Sequence, residues 1–322
     1  MVDFRYHLVT IISIFLALAV GIVVGTTALN GPVLDGLRDR NAGLISEKRA
    51  LQSDVDLLGG EVDTADEFAR ALAPDLVGGR LDGQGVLLVL GPDADPQVAD
   101  QLATMITESG ARVTARVALQ EPLVDPGQRQ LVDDLVAQVV PNGLQLPDTT
   151  AGRAAAELAA ALLVAPDQDP LPRDSAQEIV SAFQEAGLIT VSDNGDELAP
   201  AGTAVLLAGK PPVRDEDEQA GDGGQSQIEA LLAIVGELDG RSGGAVLAGP
   251  AESTGDGGLV RALRADSGRD AAVSSVDNVH RAVGQVAVVR ALVEQLQGGS
   301  GRYGGTGSAE APVPGAAEPP GE

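Results

Sequence analysis

Residues 8–29 form an unbroken apolar run whose only polar side chains are hydroxyls. A helix of these 22 residues is about 33 Å long, enough to cross a hydrocarbon core of about 30 Å. In such a core the backbone must bond to itself, so the run is confined to a helix. A cleaved signal peptide is the alternative. Its apolar core is shorter, about 7–15 residues, and Thr26-Thr27-Ala28 is a poor cleavage site. The run therefore reads as an uncleaved single-pass anchor. Gly21 and Gly25 form a small-xxx-small pair of the kind that lets membrane helices approach closely. Arg5 precedes the run, and Arg38, Arg40, Lys48 and Arg49 follow it among acids, so charge alone does not fix topology. A seven-residue head is too short to be a domain, and long acidic regions translocate largely regardless of charge. The expected topology is a short cytoplasmic head and an extracytoplasmic body.

Past Gly31-Pro32 a second periodicity begins. Leucines fall at 37, 44, 51 and 58, seven apart. With Leu34 at heptad position a, the d positions are Leu37, Leu44, Leu51, Leu58, Ala65 and Leu72, and the a positions include Asn41, Lys48, Val55 and Val62. Leucine at d with valine or a polar residue at a favours a parallel two-stranded coil, and a buried Asn fixes its register. The expected self-association residues are Leu37, Asn41, Leu44, Lys48, Leu51, Val55 and Leu58. An amphipathic helix packed on its own domain is the alternative. Pro74 is expected to stop the helix, as proline does in a helix interior.

From residue 80 the pattern changes. Short apolar runs at 86–90, 113–119, 188–191, 204–208, 245–248 and 272–276 alternate with amphipathic stretches. Several runs lack period-two alternation, as buried parallel strands do. The expected fold is α/β: a transmembrane helix over 1–32, a parallel dimeric coiled-coil stalk over 33–79, and a doubly wound, mostly parallel α/β domain over 80–297. Leu88-Val89-Leu90-Gly91-Pro92 and Val246-Leu247-Ala248-Gly249-Pro250 echo each other. The last helix, carrying Val283, Val286, Val288, Val289, Leu292 and Leu296, reads as buried, with Asp277 or Asn278 as its cap. Residues 214–224 form an acidic, glycine-rich excursion, and residues 298–322 read as a disordered tail by composition.

The chemistry is thin. A net charge of −26 repels nucleic acid, so none is expected as partner. The chain has no Cys, no Trp, two Met and two His. Thiolate sites and cysteine nucleophiles are excluded, and one tight copper site within a folded body is disfavoured, since copper takes sulfur or imidazole donors. No phosphate-binding glycine fingerprint follows a strand. Asp93, Asp95, Glu252 and Asp256 sit at expected strand ends, where a doubly wound sheet holds ligands. Solvated loop acids are the plainer reading of them in a chain with 47 acidic residues. No catalytic residues, metal ligands or cofactors are assigned, and the expectation is a non-enzyme.

Phe4-Arg5-Tyr6-His7-Leu8-Val9, the run Ile14–Gly21 with Val24-Gly25 after it, the leucine zipper, and the closing Val276-Asp277-Asn278 with its apolar helix resemble the actinobacterial MctB family, whose members are called copper transport or SteB-like proteins. The resemblance implies a cell-envelope protein linked to copper export or resistance, proposed to form channels. Copper enters only through this resemblance. SteB-like members imply instead a membrane-anchored coiled-coil partner of a peptidoglycan hydrolase in cell separation. A transmembrane barrel needs many strands of about 9–11 residues with alternating polarity, and this chain offers one apolar helix and short apolar strands. The residues themselves point to a homodimeric interaction protein in the cell membrane, with a small-ligand binder at the strand ends as a further alternative.

Overall fold

The computed structural model describes residues 4–141, 144–166, 168–192, 199–211 and 222–315. The chain divides into two compact units, 1–65 and 66–322. Helix α1, Phe4–Val77, forms the first unit, and its last turns belong to the second.

In the first unit Tyr6–Gly25 is a 20-residue span of mean hydropathy 2.8, none of it buried. Its hydroxyls do not disturb the helix, because each bonds back one turn. Thr10 Oγ1 donates to Tyr6 O (2.9 Å) and Ser13 Oγ to Val9 O (2.8 Å). Such back-bonding lets a hydroxyl sit in an apolar environment.

Pro74 does not stop α1, which continues to Val77. Ala73 and Val77 are fully buried in the second unit's core, and that burial offsets the bond lost at proline. The end comes at glycine instead: Gly78 N–H bonds Pro74 O (2.8 Å) and Gly79 takes φ +68°, a left-handed helix stop that glycine adopts without strain.

The rest of the second unit runs β1 (Gly85–Leu90), α2 (Pro96–Glu108), β2 (Arg112–Leu119), α3 (Glu121–Val124), α4 (Arg129–Val139), α5 (Thr150–Leu162), α6 (Arg173–Glu185), β3 (Ile189–Ser192), β4 (Thr203–Leu207), α7 (Asp222–Gly240), β5 (Ala245–Gly249), α8 (Leu259–Ala265), α9 (Ser267–Asp270), β6 (Ser274–Asp277), α10 (Ala282–Gln295) and β7 (Arg302–Tyr303). The strands make one sheet in the order β3-β2-β1-β4-β5-β6-β7, parallel except for β3 against β2.

The two-residue period of a strand splits the apolar residues between two cores. Leu87, Val89, Leu206 and Leu247 face one, with Val136 of α4, Leu158 of α5, Phe183 of α6 and Val235 of α7. Val86, Leu88, Val205 and Val246 face the other, with Leu102 and Ile106 of α2 and Val286, Val289 and Leu292 of α10. Every residue of β4, β5 and β6 is buried. The unbroken apolar runs are thus the signature of central strands covered on both faces.

Two further expectations need correction, and another cannot be placed in full. The segment after α10 is not a free tail up to residue 315: it returns to pair β7 with β6 and buries Tyr303. Asp277 and Asn278 do not cap α10. Arg281 is the N-cap residue, and the N–H of Ala282 is taken by Asp66 of α1 (2.6 Å). Asp277 is drawn away by a stronger claim on its carboxylate, described below. Of the acidic stretch 214–224, residues 214–221 lie outside the described residues, and 222–224 open α7 rather than continue a loop.

Candidate functional site

The side chains expected to mediate self-association lie on α1 in the first unit. Leu44, Leu51, Val55 and Leu58 are 64%, 60%, 66% and 60% exposed. These side chains form an exposed ladder along the helix. Asn41 and Lys48 are exposed on the same helix, and the side chain of Leu37 is outside the described ones. Leu44, Lys48, Leu51 and Val55 line one shallow groove with Glu47 and Gln52. Heptad spacing brings together two leucines, a valine and the aliphatic stem of a lysine whose charged end can stay in water.

The carboxyl edge of the sheet is the second place sequence pointed to. Three of its four acids are taken up locally. Asp95 caps α2 by accepting from Gln97 N (2.8 Å). Glu252 pairs with Lys210 (3.3 Å). Asp256 pairs with Arg261. Asp93 takes φ +59° in the turn after β1. The Glu252 carboxyl is held below the usual range, first by its own backbone N–H and then, against some desolvation, by Lys210. Exposed His280 is drawn below the ordinary imidazole value by partial desolvation, then by Arg281, against the pull of Glu252 and Asp66. The edge therefore carries a neutral imidazole beside satisfied ion pairs at neutral pH. Among the described residues no three His, Asp or Glu side chains converge as a metal-binding set.

Strand order reverses between β1 and β4, where doubly wound sheets open their ligand crevice. Here the crevice is closed. A Cβ on Gly209 would collide with the backbone of Pro92 and Asp93, so the loops after β4 and β1 touch main chain to main chain. The space left is about 60 Å³.

Two polar features escaped sequence reasoning. The first is a buried network under β7. Arg264 Nε donates to Ser275 Oγ (2.9 Å), its Nη1 to Asp277 Oδ2 (2.9 Å) and Ser308 Oγ (2.6 Å), and its Nη2 to Tyr303 O (2.9 Å). Asp277 also accepts from the N–H groups of Gly305 (2.7 Å) and Thr306 (3.1 Å) and from the Thr306 hydroxyl (2.7 Å). The paired side chains are 4% and 0% exposed. A buried ion pair is tolerated when its remaining donors and acceptors are satisfied, and this one fastens residues 303–308 to the sheet. The second is Glu157 on α5. It is fully buried, neither oxygen has a hydrogen-bond partner among the described residues, and burial pushes its pKa up to about 7. A lone acid in the alanine-rich 154–161 stretch was its only signal.

A family of proteins described as "Copper transport outer membrane protein, MctB" matches residues 1–314. The chain belongs to the MctB family. The family match spans the apolar helix, the heptad segment, the sheet and β7, and it runs through the closing segment that composition alone reads as tail. The chain is 28% identical over 316 residues to the "Copper transporter MctB" of Mycobacterium tuberculosis (strain ATCC 25618 / H37Rv), covering 95% of this chain and 97% of that one. It is 29% identical over 326 residues to the "Copper transporter MctB" of Mycobacterium leprae (strain TN), covering 98% and 100%. Membership places the chain in a copper transport family, and the N-terminal apolar helix fits membrane anchoring.

Proposed function

We propose that the protein is a single-pass, self-associating envelope component of copper homeostasis, with its α/β body outside the cytoplasm and no catalytic chemistry of its own. The observation that carries this reading is the family match over residues 1–314, joined to a helix that exposes a heptad ladder beside a membrane-length span. The donor inventory supports an indirect handling of copper as cargo. Copper binds sulfur and imidazole, yet the chain has no Cys. Met105 is buried in the core, and His7 and His280 lie at opposite ends of the sequence. Copper handling then belongs to an assembly the protein organises, rather than to a tight site within one body. Asp95, Glu252 and Asp256 at the strand ends are committed to a cap and ion pairs, which supports a non-catalytic role. The relatives' names speak of copper transport and lend the cell-separation reading no support.

The lack of cysteine makes the test clean. Leu51→Cys at position d should form an oxidant-dependent dimer in native membranes, while Ser53→Cys, on the outer side of the heptad, should not. A strain lacking the protein should be copper-sensitive, and a version lacking residues 33–72 should fail to restore tolerance. Equal cross-linking at both positions, or full rescue by the deletion, overturns the proposal.

A further inference from the structure

With the crevice between β1 and β4 closed, the room for a ligand lies on another part of the body. A cavity of about 710 Å³ opens on the sheet face covered by α4–α9, between α3, the starts of α4 and α5, α7 and α9. That lies within the roughly 300–1,000 Å³ of small-molecule sites. Leu123, Val124 and Leu232 are buried apolar residues of its lining. Arg129 of α4, Asp148 just before α5 and Glu229 of α7 line it as well. These three are exposed and carry no ion pair or hydrogen bond among the described residues. The other charges are engaged. Asp266 holds Arg269, and Asp125 accepts from Gly127 N (2.8 Å).

Three properties narrow the ligand. The lining holds four acids (Asp125, Asp148, Glu229, Asp266) against two arginines (Arg129, Arg269), an excess of negative charge. This disfavours phosphates and other polyanions. No aromatic residue lines the cavity, so neither nucleobase nor sugar ring finds a stacking wall. Free charges of both signs remain beside an apolar wall. A guanidinium matches a carboxylate, and Glu229 with Asp148 matches an ammonium.

We propose that this cavity binds a small aliphatic zwitterion, an amino acid or short peptide, with its carboxylate on Arg129 and its ammonium on Glu229 and Asp148. The proposal is independent of copper handling. Its test uses the full-length protein in detergent micelles and calorimetric titration with four probes: the tripeptide Ala-Leu-Ala, its N-acetyl form, its C-terminal amide, and free leucine. The tripeptide or leucine should bind saturably, and blocking either end of the tripeptide should weaken binding at least ~10-fold, about 1.4 kcal/mol. Arg129→Gln should bring the free tripeptide level with its amide, and Glu229→Gln should bring it level with the N-acetyl form. Both residues are exposed, and an unchanged melting temperature confirms folding. Tighter binding of leucine assigns an amino acid, and tighter binding of the tripeptide a peptide. No saturable binding of either up to about 10 mM, a concentration that would detect even millimolar affinity, overturns the proposal. So does equal binding of free and blocked forms, or indifference to both substitutions.

Discussion

Leu51 and Leu247 are the same side chain in opposite circumstances. The first lies on a helix where 60% of its surface is open, and the second is fully buried in β5 between helices. The first unit shows its apolar residues outward along its length, and the second folds them into two cores. An exposed leucine repeat is an open apolar surface, whereas the apolar residues of the sheet domain are covered within one chain. The energetics of substitution should divide along the same line.

The largest effect is expected where the body has buried charge. Arg264→Ala leaves Asp277 charged and buried, with its backbone donors but no cation. Removing one partner of a buried pair costs about 3–5 kcal/mol. Denaturant unfolding of the body should record that loss, and residues 302–308 should become accessible to protease first. An unchanged unfolding midpoint would show that β7 is held by something other than the pair.

The matched leucines make the next test. Leu247→Ala should cost about 2–5 kcal/mol through lost burial and a cavity. Leu51→Ala should change the body's unfolding by less than about 0.5 kcal/mol, as surface substitutions do, while weakening dimer recovery by cross-linking. If both substitutions destabilise the body alike, the ladder packs on its own chain and the contrast fails.

Glu157 is an exception inside the body, a polar residue placed where the core demands none. Its folded pKa is raised from 4.5 to about 7, so the folded state holds the proton more tightly than the unfolded one. The resulting stabilisation is fully present below pH 4.5 and is lost as pH rises to about 7. A shift of this size bounds the loss at about 3 kcal/mol. Glu157→Gln should flatten this part of the stability–pH curve and leave the variant more stable than the natural protein at pH 8. Equal slopes in the two proteins would place the carboxyl in contact with water.

These exceptions mark where sequence reading reached and where it stopped. Central strands were legible because burial on both faces forces unbroken apolar runs, as in Val86–Val89 and Ala245–Ala248. The anchor was legible because membrane thickness sets a length. The closing strand was not. Arg302 and Tyr303 sit in a stretch of Gly, Pro, Ala and Ser, and what orders them lies far back in the sequence: Asp270 pairs with Arg302, and Arg264, bound to Asp277, donates to the Tyr303 carbonyl. Composition reports what a segment can bury, not what reaches over to hold it. The same limit hid the closure at Gly209, since a close approach of two loops leaves no local pattern.

The smallest effect tests the boundary itself. Asp66 is the first residue of the second unit. It accepts from Ala282 N at 2.6 Å and from Arg70 of its own helix at 2.7 Å. It therefore serves as a cap on α10 supplied from α1, filling the place that sequence assigned to Asp277 or Asn278. Asp66→Ala should cost about 1 kcal/mol, the usual worth of a cap, with faster hydrogen exchange confined to the first turn of α10. Asp66→Asn should retain most of the bond, because an amide oxygen still accepts. The arginine of the Arg70–Asp66 pair is 54% exposed, so the pair adds little by itself, and Arg70→Ala should leave exchange at Ala282 unchanged. If Arg70→Ala and Asp66→Ala behave alike, the ion pair rather than the cap is what α1 contributes, and the body would begin later in the helix than Asp66.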